Sequence, residues 1–394
     1  MMRMPRNVWV AGWVSFFMDV SSEMVYPLVP LFLSSSLGVG KSVVGMIEGL
    51  AEASASLLKL FSGAFVDRFG KNKLLMGLGY GISASSRPML ALAPGWGMVL
   101  AGRVTDRVGK GIRTAPRDAI IAASTPPGQL GLAFGLHRSL DTAGAVVGPA
   151  MALLILTVWN ADYRLVFWYS LIPGIVSVLL IARYIDTDGR GRLAGPHFSW
   201  SVGGFNKRMY TFLLAIGLFS LGNSSNAFLI LKAEHEGVSA AWISAMYLGF
   251  NTVYAISAVP GGYLADRYGK RLMIAGGLGL FAGIYSGFAL ATSEVEIASL
   301  FILYGIYMGL TEGAQRAYLA GLAPESRRGT AFGLYHMIVG IAVLPASLIA
   351  GVLWDHMGPT APFWYGASLA MLGSMILIVT SDFRNADAFV QFRS

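Results

Sequence analysis

Apolar runs of about 20–30 residues recur along the whole chain, and that is the length a helix needs to cross a bilayer. Inside a bilayer every backbone polar group must find its partner within the segment, which confines such a chain to helices packed side by side. Hydropathy and breaker residues place about twelve spans, at 8–34, 40–66, 73–93, 96–122, 130–157, 163–183, 209–232, 240–265, 272–291, 297–321, 329–353 and 361–380. Composition agrees: 13% of residues are charged and 55% are hydrophobic, where a soluble domain carries about 25% charged. The expected fold class is an all-α membrane protein. The opening MMRMPRN runs into the first span without a small-residue cleavage site, so it reads as a first span and not a removed signal.

The connections give an orientation. Arg3 and Arg6 precede the first span, Arg68, Lys71 and Lys73 follow the second, and Arg183, Arg190, Arg192, Lys207 and Arg208 lie in the long central connection. Arg267, Lys270 and Arg271 follow the eighth span, and Arg327 and Arg328 precede the eleventh. The alternate connections are poor in Lys and Arg. The positive-inside rule then places both termini in the cytoplasm, in a plasma (inner) membrane protein, and an even number of spans agrees. The net charge of +8 invites a nucleic-acid reading, but the bases sit between and inside apolar spans and form no soluble basic domain. Cysteine is absent, which excludes disulfides and thiolate metal sites. Carboxylates mixed with cations and only five histidines argue against a metal centre. No cofactor is expected.

One stretch breaks the apolar pattern. Ala101–Asp118 carries Arg103, Arg107, Lys110, Arg113 and Arg117 against Asp106 and Asp118. At helical spacing the five cations fall within an arc of roughly 120° and rise about 20 Å. Charge at membrane depth faces the bundle interior or water and marks a functional path by default. Carboxylates recur nearby in sequence terms. Asp19 and Glu23 are four apart on the first span; Glu48 and Glu52 repeat the spacing on the second, with Lys59 on the same face. Asp141 lies one turn from His137 and Arg138 on the fifth. These acids are expected to pair with the stripe, with one of them, preferably Asp19 or Glu23, exchanging its cation for a proton. Arg107 and Arg113 are expected to face a central cavity with Asp19 and Glu23 opposite. The later spans are poorer in charge: Glu312 and Arg316 pair at i,i+4, His336 titrates near neutrality if exposed, and Asn223 and Asn226 give the seventh span a polar face.

An internal repeat divides the chain. Gly63-Ala-Phe-Val-Asp67-Arg68-Phe-Gly70-Lys71 recurs as Gly262-Tyr-Leu-Ala-Asp266-Arg267-Tyr-Gly269-Lys270, an offset of about 199 residues. Ala133-Phe-Gly-Leu136 recurs as Ala331-Phe-Gly-Leu334, and Ser21-Ser22 meets Ser224-Ser225. The expected organisation is a six-span bundle over 1–184, a cytoplasmic linker over 185–208 and a second six-span bundle over 209–394. Repeat-built transporters bind substrate near the midplane between the repeats.

The repeated loop resembles the G-x-x-x-D-R-x-G-R/K-R/K signature of the major facilitator superfamily. That resemblance implies two pseudo-symmetric six-helix bundles, alternating access, a monomer, and a conformational latch at Gly63, Asp67, Arg68, Gly70, Lys71, Asp266, Arg267 and Gly269. Arg107-x-x-x-Gly111-x-x-x-Ala115 resembles the fourth-span motif in which an intramembrane Arg is associated with proton coupling. Gly135-x8-Gly144-x3-Gly148-Pro149-x2-Ala152 resembles the fifth-span antiporter motif, departing at its end where Ala152-Leu153 replaces paired glycines. Pro27-Leu-Val-Pro30 resembles the P-x-x-P of twelve-span drug/proton antiporters. The resemblance implies proton-coupled efflux of a small polar, anionic or amphipathic solute. A proton symporter or an anion exchanger is the alternative within transport, and a non-transporting receptor or scaffold of the same fold the alternative outside it. With no Ser/His constellation and no nucleotide-binding loop, an enzyme or direct ATP drive is not expected.

Overall fold

The computed structural model describes residues 4–69, 72–125, 130–158, 162–186, 205–323 and 328–380. They are helical throughout apart from short connections: α1 (Arg6–Val25), α2 (Leu28–Leu31), a π-helical turn (Phe32–Ser36), α3 (Lys41–Phe69), α4 (Asn72–Ala91), α5 (Trp96–Ser124), α6 (Leu130–Val158) and α7 (Tyr163–Tyr184). The second series is α8 (Lys207–Gly222), α9 (Ala227–His235), α10 (Ala240–Tyr268), α11 (Lys270–Leu290), α12 (Glu294–Leu322), α13 (Arg328–Met357) and α14 (Ala361–Val379). Together they form twelve membrane-crossing rods, in which α1, α2 and the π-turn make one rod and α8 with α9 another. Among the described residues, eight rods are long and apolar enough to cross a membrane on composition alone. The charge-bearing α3 and α5 are not among those eight, because polar side chains interrupt their apolar surface.

Packing follows the repeat. In the first series α1 lies against α6 and α7, and α5 lies between α3 and α4. In the second, α10 lies against α12, α11 against α12 and α14, and α8 against α13 and α14. The series meet along two seams, α3 with α13 and α6 with α10. Large apolar side chains such as Leu179, Ile256, Leu290 and Val379 remain exposed on the outside, as a lipid-facing surface requires.

The first rod is interrupted at Tyr26–Pro27 with its backbone still helical, and the seventh is broken at Asn223–Ser225, where the sequence reads uninterrupted spans over 8–34 and 209–232. In the first, Pro27 and Pro30 remove backbone donors, and the chain turns at Tyr26–Pro27 before resuming as α2. In the seventh, Asn223, Ser224 and Ser225 stand outside the helix, residue types whose side chains compete for backbone hydrogen bonds. Two of the freed groups are satisfied: Ser225 N donates across to Ser347 Oγ of α13 at 3.2 Å, and Ala227 N to Ser225 Oγ at 3.3 Å. The two interruptions lie close together, with α2 packed against α9.

The repeated loop is described in its second copy. There Gly269 has φ of 94°, a left-handed conformation that glycine adopts without strain, and it turns α10 into α11 with no other linking residue. The guanidinium of Arg267 lies 5.5 Å from the centre of the Tyr268 ring. In the first copy the side chains of Gly63, Asp67, Arg68, Gly70 and Lys71 lie outside the described residues, as does that of Asp266 in the second.

On the face opposite the N-terminus, the α3–α13 seam is closed by a cap supplied from across it. Asp355, near the end of α13, accepts from Lys41 N at 3.0 Å and from Ser42 N at 2.8 Å, the first two amides of α3. Lys41 Nζ reaches Glu234 of α9 at 3.7 Å. A helix N-cap contributes about 1 kcal/mol, and here that energy holds the two series together. Asp355→Ala is therefore expected to speed thiol labelling of a cysteine placed at Val43 by about five-fold. The absence of native cysteine makes the measurement clean. An unchanged labelling rate would show that the seam closes without this cap.

Candidate functional site

The stripe on α5 is buried inside the first series, and two acids of α3 meet it. Arg103 makes a two-pronged contact with Glu48, Nε to Oε1 at 2.8 Å and Nη2 to Oε2 at 2.6 Å. Arg107 Nε lies 3.2 Å from Glu52 and 3.8 Å from Asp106. Tyr26, at the break of the first rod, stacks beside both, with its ring centre 5.3 Å from the Arg103 guanidinium and 5.9 Å from that of Arg107. Arg113 lies 4.4 Å above the Tyr80 ring, and its Nη1 is buried without a hydrogen-bond partner. Arg117 pairs with Asp118 at 2.9 Å. The side chain of Lys59 lies outside the described residues.

Asp19 and Glu23 stand on α1, which packs against α5, without an ion pair to the stripe among the described residues. Neither forms an ion pair with Arg107 or Arg113 among the described residues; Glu52 and Asp106 lie against Arg107, and Arg113 lies over the Tyr80 ring. The strongest cationic influence on both acids is Lys110, one turn along the stripe. Glu23 Oε2 is buried without a hydrogen-bond partner. The glycines of the antiporter-like sequence bring α6 against this segment. A Cβ at Gly144 would stand 3.1 Å from Asp19 Cβ, and one at Gly148 would stand 2.8 Å from Glu23 Cβ. Two carboxylates are thus held on one backbone-to-backbone contact, next to a lysine, without a committed partner.

Three groups are not singled out from sequence: Arg87, Tyr26 and Tyr80. Arg87 of α4 is 1% exposed and donates to Ser21 Oγ at 2.9 Å, Ser22 Oγ at 2.9 Å and Asp106 Oδ1 at 3.1 Å. It ties the stripe to the turn of α1 that precedes Glu23. The available signal is a lone charge inside the third span, one turn from the helix end. With Arg87 and Asp106 included, Arg87, Arg103, Arg107, Lys110 and Arg113 stand among Asp19, Glu23, Glu48, Glu52 and Asp106. The surplus of cations that the stripe alone implies is cancelled by neighbouring helices.

The remaining candidates divide. His137 is buried, with Nε2 2.8 Å from Ser15 Oγ, which is 3.0 Å from the Tyr80 hydroxyl. Arg138 pairs with Asp141 at 3.2 Å and donates to the Tyr254 hydroxyl at 3.4 Å, across the α6–α10 seam. Tyr254 in turn bonds Glu312, which pairs with Arg316. Asn226 accepts from the Tyr304 hydroxyl at 3.0 Å. Asn223 Oδ1 is buried at the break of the seventh rod without a partner. His336 is exposed and lies edge-on to Tyr335 at 5.2 Å, away from the stripe.

The family model described as Major Facilitator Superfamily matches residues 11–221 and again 211–391. An uncharacterized MFS-type transporter of Methanocaldococcus jannaschii is 34% identical over 381 residues, covering 95% of this chain and 94% of that protein. The multidrug resistance protein MdtH of Photorhabdus laumondii is 26% identical over 339 residues, covering 84% of this chain and 82% of that protein. Among solved structures, the nucleoside transporter NupG superposes with a TM-score of 0.79 at 12% identity, covering 95% of this chain and 99% of that one. A human organic anion transporter superposes with a TM-score of 0.64 at 17% identity, covering 96% and 100%. With twelve rods in two packed series, and with the family pattern matched in each half, the chain belongs to the major facilitator superfamily of multi-pass membrane transporters.

Proposed function

We propose that this transporter is a proton-coupled exporter, exchanging protons for a small amphipathic solute by alternating access between bundles 1–184 and 209–394. It acts as a monomer in the plasma membrane, with both termini and the 185–208 linker in the cytoplasm. The observation that carries the reading is the pair Asp19 and Glu23, half-buried on the face of α1 that α6 covers, without an ion-pair partner among the described residues. The fifth-span glycines that hold α6 against this pair, and the likeness to a multidrug resistance protein, favour efflux.

The coupling follows from charge. With every acid ionised, the cations of the site are matched by carboxylates, so the site takes up a neutral or cationic solute at no electrostatic cost. A proton on Glu23 or Asp19 leaves Lys110 unbalanced, which disfavours a cation and favours release. A proton and a cationic solute thus compete, which is antiport. An anionic solute would instead bind together with the proton, and the unpartnered Nη1 of Arg113 is the observation that favours that second reading.

The test is transport in proteoliposomes with an imposed pH gradient, using ethidium as the cationic probe and fluorescein as the anionic one. Ethidium movement opposite to the proton gradient is expected. Glu23→Gln and Asp19→Asn should each flatten its pH dependence, and Arg107→Ala should lose transport. Ethidium movement that ignores the gradient would overturn proton coupling. Full gradient-driven transport in both carboxylate variants would remove Asp19 and Glu23 as carriers. Fluorescein movement down the proton gradient would establish symport in place of exchange.

A further inference from the structure

On the face that carries the N-terminus, a cavity of about 570 Å³ opens between the start of α8, the start of α11 and the end of α14. Its polar lining is Lys207, Arg208, Arg271, Asn206, Thr211 and Thr380, with no acid among the described lining residues. The cations stand where the backbone disfavours them. Lys207 and Arg208 are the first two residues of α8, and Arg271 is the second residue of α11. A helix N-terminus carries a partial positive charge, so basic side chains there repel their own helix unless an anion joins them. Arg271 is held in place by α14: Nε donates to Leu377 O at 2.8 Å and Nη2 to Thr380 Oγ1 at 2.7 Å. Lys207 and Arg208 are exposed and make no ion pair among the described residues. Phe212 and Tyr318, packed edge to face at 5.2 Å, form the apolar wall, and the exposed Val379 brings the cavity to the lipid-facing surface.

We infer that this cavity binds a phosphoryl group, that of the headgroup of an acidic phospholipid, between Lys207, Arg208 and Arg271. The amides of Lys207 and Arg208 at the start of α8 supply further donors to phosphate oxygens, the next amide being capped by Asn206, and the apolar wall receives the glycerol end. The site is separate from the stripe and does not depend on what the protein carries. Basic pockets between transmembrane helices are a recurrent way of holding anionic headgroups, and a basic residue near the surface contributes about 1 kcal/mol, or about five-fold in binding.

The full-length protein in detergent is mixed with phosphatidylglycerol or phosphatidylcholine of the same acyl length, and retained lipid is read by native mass spectrometry. Retention of phosphatidylglycerol over phosphatidylcholine is expected, falling about five-fold in Lys207→Gln and again in Arg208→Gln. Both side chains are exposed, so the variants should fold. Arg183→Gln, at the exposed end of α7 and outside the cavity, should leave retention unchanged. Displacement of the lipid by millimolar inorganic phosphate would support the same phosphoryl site with a soluble ligand as its source. Retention in the Lys207→Gln/Arg208→Gln double variant equal to the parent, or an equal loss in Arg183→Gln, would overturn the site.

Discussion

Arg103→Ala is expected to cost about 3–5 kcal/mol of stability, the largest single loss among the charged residues of the first bundle. Arg103 is 2% exposed and Glu48 is 1% exposed, and the guanidinium uses two donors on the two carboxylate oxygens. Truncation leaves Glu48 ionised, buried and without its partner on a helix in contact with lipid, where no bulk water can replace the lost bonds. A buried pair is not in itself a large net stabiliser, because its desolvation cost offsets much of its attraction. The double variant Arg103→Met/Glu48→Gln should therefore recover most of the loss, since it removes both charges and keeps the volume. Thermal unfolding in detergent reads the effect. A double variant no more stable than Arg103→Ala would show that the damage comes from lost packing and not from an orphaned charge.

That comparison also marks what the sequence discloses. The spans are legible because bilayer thickness sets a length that apolar runs must match, and the α5 stripe is legible because its period is that of a helix. Partner choice is a property of how helices face one another, and no local period encodes it. Glu48 and Glu52 do meet the stripe, yet Asp19 and Glu23 do not pair with Arg107 or Arg113, although both pairs have the same i,i+4 spacing. Within α5 itself, Asp106 lies between Arg87 of α4 and Arg107, and with Glu52 it stands against Arg107. Arg87 itself stands one turn from a helix end, where a long basic side chain ordinarily turns toward the headgroups.

The broken rods show the same limit. Proline at 27 and 30 and the Asn-Ser-Ser-Asn run at 223–226 are breaker signals in plain view. A hydropathy window averages across them, because the flanking residues are apolar enough to carry the span. The break in the seventh rod is tolerable only because Ser347, on α13, receives the amide of Ser225. That contact is tertiary and leaves no local trace. The small residues of the antiporter-like fifth span were legible as a packing surface, but not the partner they pack on.

That partner makes Gly144→Val, after Arg107→Ala, the substitution expected to harm transport most. A Cβ at 144 would stand 2.4 Å from Phe16 O and 3.1 Å from Asp19 Cβ, and the nearest of these is backbone that cannot swing aside. The helices must separate, and the separation falls on the stretch of α1 that carries Asp19 and Glu23. A misplacement of about 1 Å in an aligned site costs about 100-fold in rate, and a drop of that order is expected in the initial rate of gradient-driven efflux. Gly148→Ala should lose less: its Cβ meets Glu23 Cβ at 2.8 Å and Val20 O at 2.9 Å, contacts that a shift of a few tenths of an ångström relieves in part. Gly81→Ala supplies the control, because a Cβ there meets nothing within 4 Å. It should transport at the parent rate, since alanine favours a helix over glycine and no neighbour moves. Efflux at the parent rate in Gly144→Val would mean that the close approach of α6 to α1 serves assembly alone, and that the two carboxylates need no fixed distance from Lys110 to do their work.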